Sequence, residues 1–282
     1  MNIQDLKIVA DSSADTFEME GVKFACAPLK IRTDAKEYVD DGKLDVAGMV
    51  NDLAAYKGKS SSSCPSPADW LTCFGDAKYV FCITITATLS GSYNSACVAK
   101  KQYEEEHPDR KVFVFNSLSA GGEIRLVMEK VREMAAEGAE FEDICDAAKE
   151  YARGTALIFM LESMKNLANN GRVSHIAAKA ADILGIRVVG RASAKGDLEP
   201  LEKCRGENKA LQAIVAVMEK MGHRGGKVRV GHCCNLAAAE RLCSLIKEKF
   251  GNSDIMIYHS GGLCSFYEER GGLMIGFECA AR

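Results

Sequence analysis

Apolar runs alternate with amphipathic stretches along the first half of the chain. LKIVA (6–10), VKFACAPL (22–29), YVFCITI (79–85) and KVFVF (111–115) are apolar nearly throughout, and helical periodicity occupies 44–56, 92–106 and 120–137. Strand-like and helix-like segments in alternation predict parallel strands joined by crossover helices. Strands that are apolar without interruption, instead of at every second residue, are covered on both faces. The first half therefore reads as α/β, a doubly wound, mostly parallel sheet.

A helix near 141–152 leads into a second series. It comprises TALIFML (155–161), a helical stretch at 173–184, IRVVGRA (186–192), LEPLEKCR (198–205), a helix at 207–221, KVRVG (227–231), a helix at 236–250, DIMIYHS (254–260) and LMIGFE (273–278). Two of these strands flank Lys195-Gly196-Asp197, a hairpin signal that brings antiparallel pairing. The second half is thus expected to be a mixed α+β domain. A chain of 282 residues suits two cores better than one. No Pro-rich or Gly/Ser-rich linker separates the halves, and the boundary is placed near 155: residues 1–155 form an α/β domain carrying two serine loops, and residues 156–282 a mixed domain.

Charge narrows the partners. A formal net charge of −3 leaves no excess of cations for a nucleic acid or an anionic bilayer surface. No apolar run approaches the roughly 18 residues of a membrane span, and the start, MNIQDLKIVADSS, lacks the basic and apolar regions of a secretory signal. A cytoplasmic protein without integral membrane association is expected. The twelve cysteines then read as reduced, small apolar residues. Cys-x-x-Cys is absent, and three consecutive residues such as His232-Cys233-Cys234 rarely converge on one ion, so no metal site is predicted.

Two serine-rich segments carry candidate chemistry. Thr86-Ala87-Thr88-Leu89-Ser90-Gly91-Ser92 lies between a strand and a helix, where hydroxyls and free backbone N–H groups converge on a small anion; the same residues also suit a plain helix cap. Lys59 to Pro67 offers four successive serines but, taken alone, reads first as a solvated linker. The dinucleotide, P-loop and nucleophile-elbow fingerprints are all missing, and no residue is assigned as catalytic. His107 and His223 read as solvated helix ends; His175, His232 and His259 remain as second-domain candidates. Ala156 to Leu161 and Ile176 to Leu184 suit either core or the wall of an apolar tunnel.

Six blocks in order resemble the DegV family: Asp11-Ser12-Ser13-Ala14-Asp15, Ala27-Pro28-Leu29, Ser62-Ser63-Cys64-Pro65-Ser66, Leu89-Ser90-Gly91-Ser92-Tyr93-Asn94-Ser95-Ala96, Asn169-Asn170-Gly171-Arg172-Val173-Ser174 and Lys203-Cys204-Arg205. The resemblance covers nearly the whole chain. It implies a lipid carrier that buries a long-chain fatty acid such as palmitate in a tunnel between the domains, with the carboxyl group on Ser62 and Ser90. Ser63 is the adjacent hydroxyl, and Arg172 a neighbour able to balance a carboxylate. It also implies a separate fatty acid kinase as partner and no cofactor on the carrier itself. Three positions depart from the family's pattern: Asn116 for an Asp, Cys64 for a Gln, and Tyr267 for a histidine in the loop expected at 261–272. Tyr267 is retained as a possible further head-group contact. The competing expectation is a serine-dependent hydrolase, esterase- or phosphatase-like, that uses Ser90 or Ser62 with a histidine from the second domain.

Overall fold

A computed structural model of the chain describes residues 1–173 and 185–280. The helix expected over 173–184, and His175 with it, falls outside the described residues apart from residue 173.

The first sheet has the order β2-β1-β6-β7, from strands β1 (Leu6–Asp11), β2 (Lys23–Ala27), β6 (Tyr79–Thr84) and β7 (Lys111–Asn116), and every pairing in it is parallel. Alternate side chains enter opposite cores. Val9, Val80, Cys82 and Val112 pack with Trp70 and Phe74 of α2 (Pro67–Phe74) and with Ala96, Ala99 and Tyr103 of α3 (Ser92–Glu106). Ile8, Ala10, Phe81 and Ile83 pack with Ile124, Val127 and Val131 of α4 (Gly122–Ala136) and Ile144 of α5 (Phe141–Arg153). Burial on both faces is why these strands lack polar alternation.

The second sheet has the order β10-β9-β8-β13-β11-β12, built from β8 (Thr155–Leu161), β9 (Ile186–Ala192), β10 (Leu198–Arg205), β11 (Gly226–His232), β12 (Ser253–His259) and β13 (Leu273–Glu278). Only β11 and β12 run parallel. The β9–β10 hairpin turns at Gly196, whose φ of +86° suits glycine. The tip docks on the first domain: Thr88 Oγ1 donates to Gly196 O at 2.8 Å. Ile158, Met160, Val228, Val230 and Ile275 face α7 (Glu207–Lys220) and α8 (Leu236–Phe250).

Helix α4 serves both sheets. A Cβ on Gly276 of β13 would lie 2.1 Å from the carbonyl carbon of Gly122, so the two backbones touch where neither has a side chain. Farther along α4, buried Arg229 of β11 makes paired hydrogen bonds to Glu129, both at 2.7 Å.

Several expectations are corrected. The run 22–29 is not one strand: β2 ends at Ala27, and β3 (Lys30–Arg32) forms a separate antiparallel sheet, order β4-β3-β5, with β4 (Glu37–Val39) and β5 (Ser61–Ser63). Three-residue strands are too short to show a period. The Lys59–Pro67 segment is therefore not merely a solvated linker. Ser61 to Ser63 pair with β3, and Ser66 caps α2 through a reciprocal bond with Asp69. The segment 261–272 is not a loop throughout, since it contains α9 (Gly262–Glu268). Two short helices complete this side, α1 (Val46–Ala55) and α6 (Lys165–Asn169).

Candidate functional site

The face of the second sheet turned away from α7 and α8 carries Leu157, Phe159, Leu161, Val188 and Met274. Part of that face is covered by α6 and α9, and part borders a cavity of about 290 Å³. Phe159, Leu161, Leu167, Leu198 and Met274 supply its wall from the second sheet and α6, while Leu29, Ile85, Leu89 and Ala120 close it from the first. Of the run 156–161, Ala156, Ile158 and Met160 lie in the core against α7 and α8, Leu157 is buried on the other face, and Phe159 and Leu161 border the cavity. The size is near the lower end for small-molecule pockets, and an apolar wall with a few polar groups is their usual composition.

All five residues singled out in the sequence line this one cavity: Ser62, Ser63, Ser90, Arg172 and Tyr267. Ser62 stands in the middle of β5, opposite Ile31, and its hydroxyl lies 2.7 Å from the phenol of Tyr267. Ser90 sits in the turn before α3, where its Oγ accepts from the N–H of Ser92 at 3.3 Å. The cap position itself is Gly91, which has no side chain to bond, so neither Ser90 nor Ser92 is the N-cap. Arg172 Nε donates to Leu89 O at 3.1 Å and the guanidinium also bonds Asn170 O, which ties the segment after α6 to the Ser90 turn.

Buried carboxylates that the sequence reading left without a role position these groups. Asp11, at the end of β1, accepts from Ile85 N–H at 3.0 Å, from Ser92 Oγ at 2.5 Å and from the Ser13 hydroxyl. One side chain thereby ties β1, the end of β6 and the start of α3. Burial raises its pKa, against the pull of those donors. Asp40 does the same for α9: it accepts from Gly262 N–H at 2.7 Å and Leu263 N–H at 2.9 Å, while Asp15 accepts from Gly261 N–H at 2.7 Å. These bonds satisfy the free donors of a helix start and so aim Tyr267 at Ser62. For Asp11 and Asp15 the signal was the Asp-Ser-Ser-Ala-Asp block at the end of the first strand; Asp40 lies outside it.

Burial governs the titration of the same region. It raises the Tyr267 phenol above its ordinary value, opposed by the Ser62 bond and the positive charge of Arg172. Glu268, wholly buried beside the cavity, is pushed up to about 8, mainly by burial and further by Asp15; Ser260 donates to both of its oxygens, at 2.9 and 3.0 Å. Asp15 is pushed up to about 7. Among the described residues, Asp15, Cys264 and Glu268 are the group whose donor atoms lie close enough to meet on one ion. Burial raises all three, which favours their protonated forms and opposes the deprotonated ligands a metal needs.

Among the described residues no histidine borders the cavity. His223 is not a solvated helix end. It is wholly buried, with Nδ1 2.6 Å from Glu278 O and its ring between Phe250 and Phe277. The rings of His232 and His259 meet at the ends of β11 and β12, 4.2 Å apart and tilted by 59°. On the outer side of the Ser90 turn lies a polar recess of about 330 Å³, bordered by Thr88, Asn94, Asn170 and Gly171 and sharing Leu89, Ser90, Gly91 and Arg172 with the cavity.

A family model described as "Uncharacterised protein, DegV family" matches residues 5–278. The chain belongs to the DegV family. A DegV domain-containing protein of Streptococcus pneumoniae is 42% identical over 276 residues, covering 96% of this chain and 98% of the relative. Among solved structures, a DegV family protein from Eubacterium eligens, loaded with heptadecanoic acid, superposes with a TM-score of 0.96 at 44% identity, over 97% of this chain and 99% of that one. The Streptococcus pneumoniae Fatty Acid Kinase (Fak) B3 protein, loaded with linoleic acid, also superposes with a TM-score of 0.96, at 41% identity over 99% of this chain and 100% of that one. Among the described residues, no helix of this DegV protein is long and apolar enough to cross a membrane.

Proposed function

We propose that this protein is a carrier that holds one long-chain fatty acid in the cavity, with its carboxyl group at Ser62 and Ser90, and presents that group to a separate fatty acid kinase. The observation that carries the reading is the composition of one cavity, whose wall is mostly apolar and whose polar lining includes Ser62, Ser63, Ser90, Arg172 and Tyr267. Relatives above 40% identity loaded with heptadecanoic and linoleic acid support the ligand class, and the fatty acid kinase name of one of them supports the partner.

Energetics agree with a carrier. Burying a sixteen-carbon tail such as that of palmitate contributes on the order of 11 kcal/mol before ordering costs, at roughly 0.8 kcal/mol per methylene. A buried carboxylate without partners costs several kcal/mol, and hydroxyls with a nearby guanidinium offset that and fix the head. The polar recess shares Ser90 and Arg172 with the cavity, which makes it the side from which a γ-phosphate would approach the carboxyl group. The reading calls on no cofactor or metal of the carrier's own, and a cytoplasmic location goes with an ATP-dependent partner. Nothing supports the hydrolase alternative: among the described residues no histidine borders the cavity that Ser62 and Ser90 share.

The test is a coupled reaction with ATP, magnesium, the acid-loaded protein and a fatty acid kinase from the same organism, with the acyl phosphate trapped by hydroxylamine. Acyl hydroxamate is expected with both proteins present and from neither alone. Tyr267→His belongs in the same experiment. The Tyr267 phenol, already raised by burial, supplies no positive charge to a developing acyl phosphate, whereas an imidazolium does. Product from neither form rejects the kinase partnership and leaves a binding role. ATP hydrolysis by the protein alone rejects the carrier reading.

A further inference from the structure

We propose that Gly190 and Phe159 together set the floor of the cavity and thereby the acyl chains it accepts; this rests on the fatty-acid reading above. One row of paired residues crosses β9, β8 and β13: Gly190 stands opposite Phe159, and Phe159 opposite Met274. Phe159 and Met274 both line the cavity. A Cβ on Gly190 would lie 2.2 Å from Cζ and 2.5 Å from Cε2 of Phe159, so the Phe159 ring leans over a bare stretch of β9 backbone. Gly190 is not among the residues with positive φ, so what requires glycine there is the space the ring takes and the approach of Glu199 O, 2.7 Å from the same Cβ position. Met274 leans outward in the same manner, its Cε 2.8 Å from where a Cβ on Gly121 would stand.

The consequence is geometric. Beneath the ring is the sheet and above it the cavity, so anything that lifts the ring from Gly190 moves it into the space where a ligand tail lies. Phe159 belongs to the apolar wall of the cavity, two residues before Leu161 and about 6.6 Å from it along β8 at the usual rise of a strand. An apolar ring in that wall meets the tail of the acid, along its methylenes or at the bend of an unsaturated chain. Removing the ring deepens the cavity at that point; raising it shortens the cavity.

The experiment measures dissociation constants for saturated acids from fourteen to twenty carbons and for cis-unsaturated eighteen-carbon acids. The proteins are wild type, Phe159→Ala, Phe159→Leu, Gly190→Ala and the Phe159→Ala/Gly190→Ala double variant, each checked for folding by circular dichroism. Phe159→Ala is expected to shift preference at least tenfold toward longer or bent acids, with Phe159→Leu shifting it the same way by less. Gly190→Ala is expected to shift it toward shorter acids, and to have no such effect once the ring is gone. If Phe159→Ala unfolds, the sign of the Phe159→Leu shift decides. An unchanged rank order of acids in the folded Phe159 variants overturns the inference, whereas failure of the wild type to bind any of the acids overturns the carrier reading beneath it.

Discussion

In the first sheet Val9, Val80, Cys82 and Val112 pack on α2 and α3 while Ile8, Ala10, Phe81 and Ile83 pack on α4 and α5, so helices close both faces. In the second sheet Ile158, Met160 and Ile275 pack on α7 and α8, whereas Phe159, Leu161 and Met274 border the cavity. The connections explain the difference. Parallel neighbours need crossovers, which deposit helices on both faces; a hairpin such as β9–β10 deposits none. The sheet that abandons parallel pairing is therefore the one with a face left for a ligand.

The largest effect that tests this contrast is on stability. Ile158 is wholly buried against α7 and α8, and Ile158→Ala is expected to cost about 2–5 kcal/mol in chemical denaturation while the folded protein keeps its affinity for fatty acid. Leu161→Ala, on the opposite side of the same strand, enlarges a space that already exists. It should cost less stability and more affinity. If both variants lose stability equally and neither loses affinity, the division of β8 into a core face and a ligand face is wrong.

Next comes the polar rim. A hydrogen bond to a charged group is worth roughly 1.5–3 kcal/mol, so Ser90→Ala is expected to weaken acid binding about ten- to a hundredfold without abolishing it, the tail term being several times larger. Isothermal titration checks this. Unchanged affinity removes Ser90 from the site.

The smallest effect is a pH slope. Glu268 is raised from 4.5 to about 8 in the folded protein, so between those values the folded state holds a proton that the unfolded state has lost, and stability falls as pH rises. Asp15, raised from 3.8 to about 7, acts in the same direction. His232, lowered from 6.5 to about 4, acts the other way, with stability rising between those values. Above pH 6.5 the carboxyls act without it. The melting temperature is expected to fall from pH 6.5 to 8, and to fall less in Glu268→Gln. Parallel slopes in the two proteins would show that Glu268 is ionised in both states.

The elements read from the sequence share a physical property with one another, and so do those missed. Helices at 92–106 and 236–250 appear at the bounds expected, because each buries one stripe against its own sheet. The small sheet and α9 were missed because they are fixed from a distance: β5 pairs with a strand some thirty residues earlier, and α9 is capped by Asp40 and Asp15, more than two hundred residues away. Local periodicity carries no trace of such contacts. His223 misled for a related reason. Its glycine neighbours suggest a solvated turn, yet the ring inserts between Phe250 and Phe277. Ser62, Ser90, Arg172 and Tyr267 were singled out through resemblance to the family, and the hydroxyls alone read first as caps or linker.

The carrier reading is tested most directly by what the protein holds. Native mass spectrometry of the purified protein, followed by solvent extraction and identification of the released compound, is expected to give one long-chain fatty acid per chain, with loading reduced in Ser90→Ala. A wild-type protein that carries no lipid and takes up none when mixed with palmitate would contradict the account.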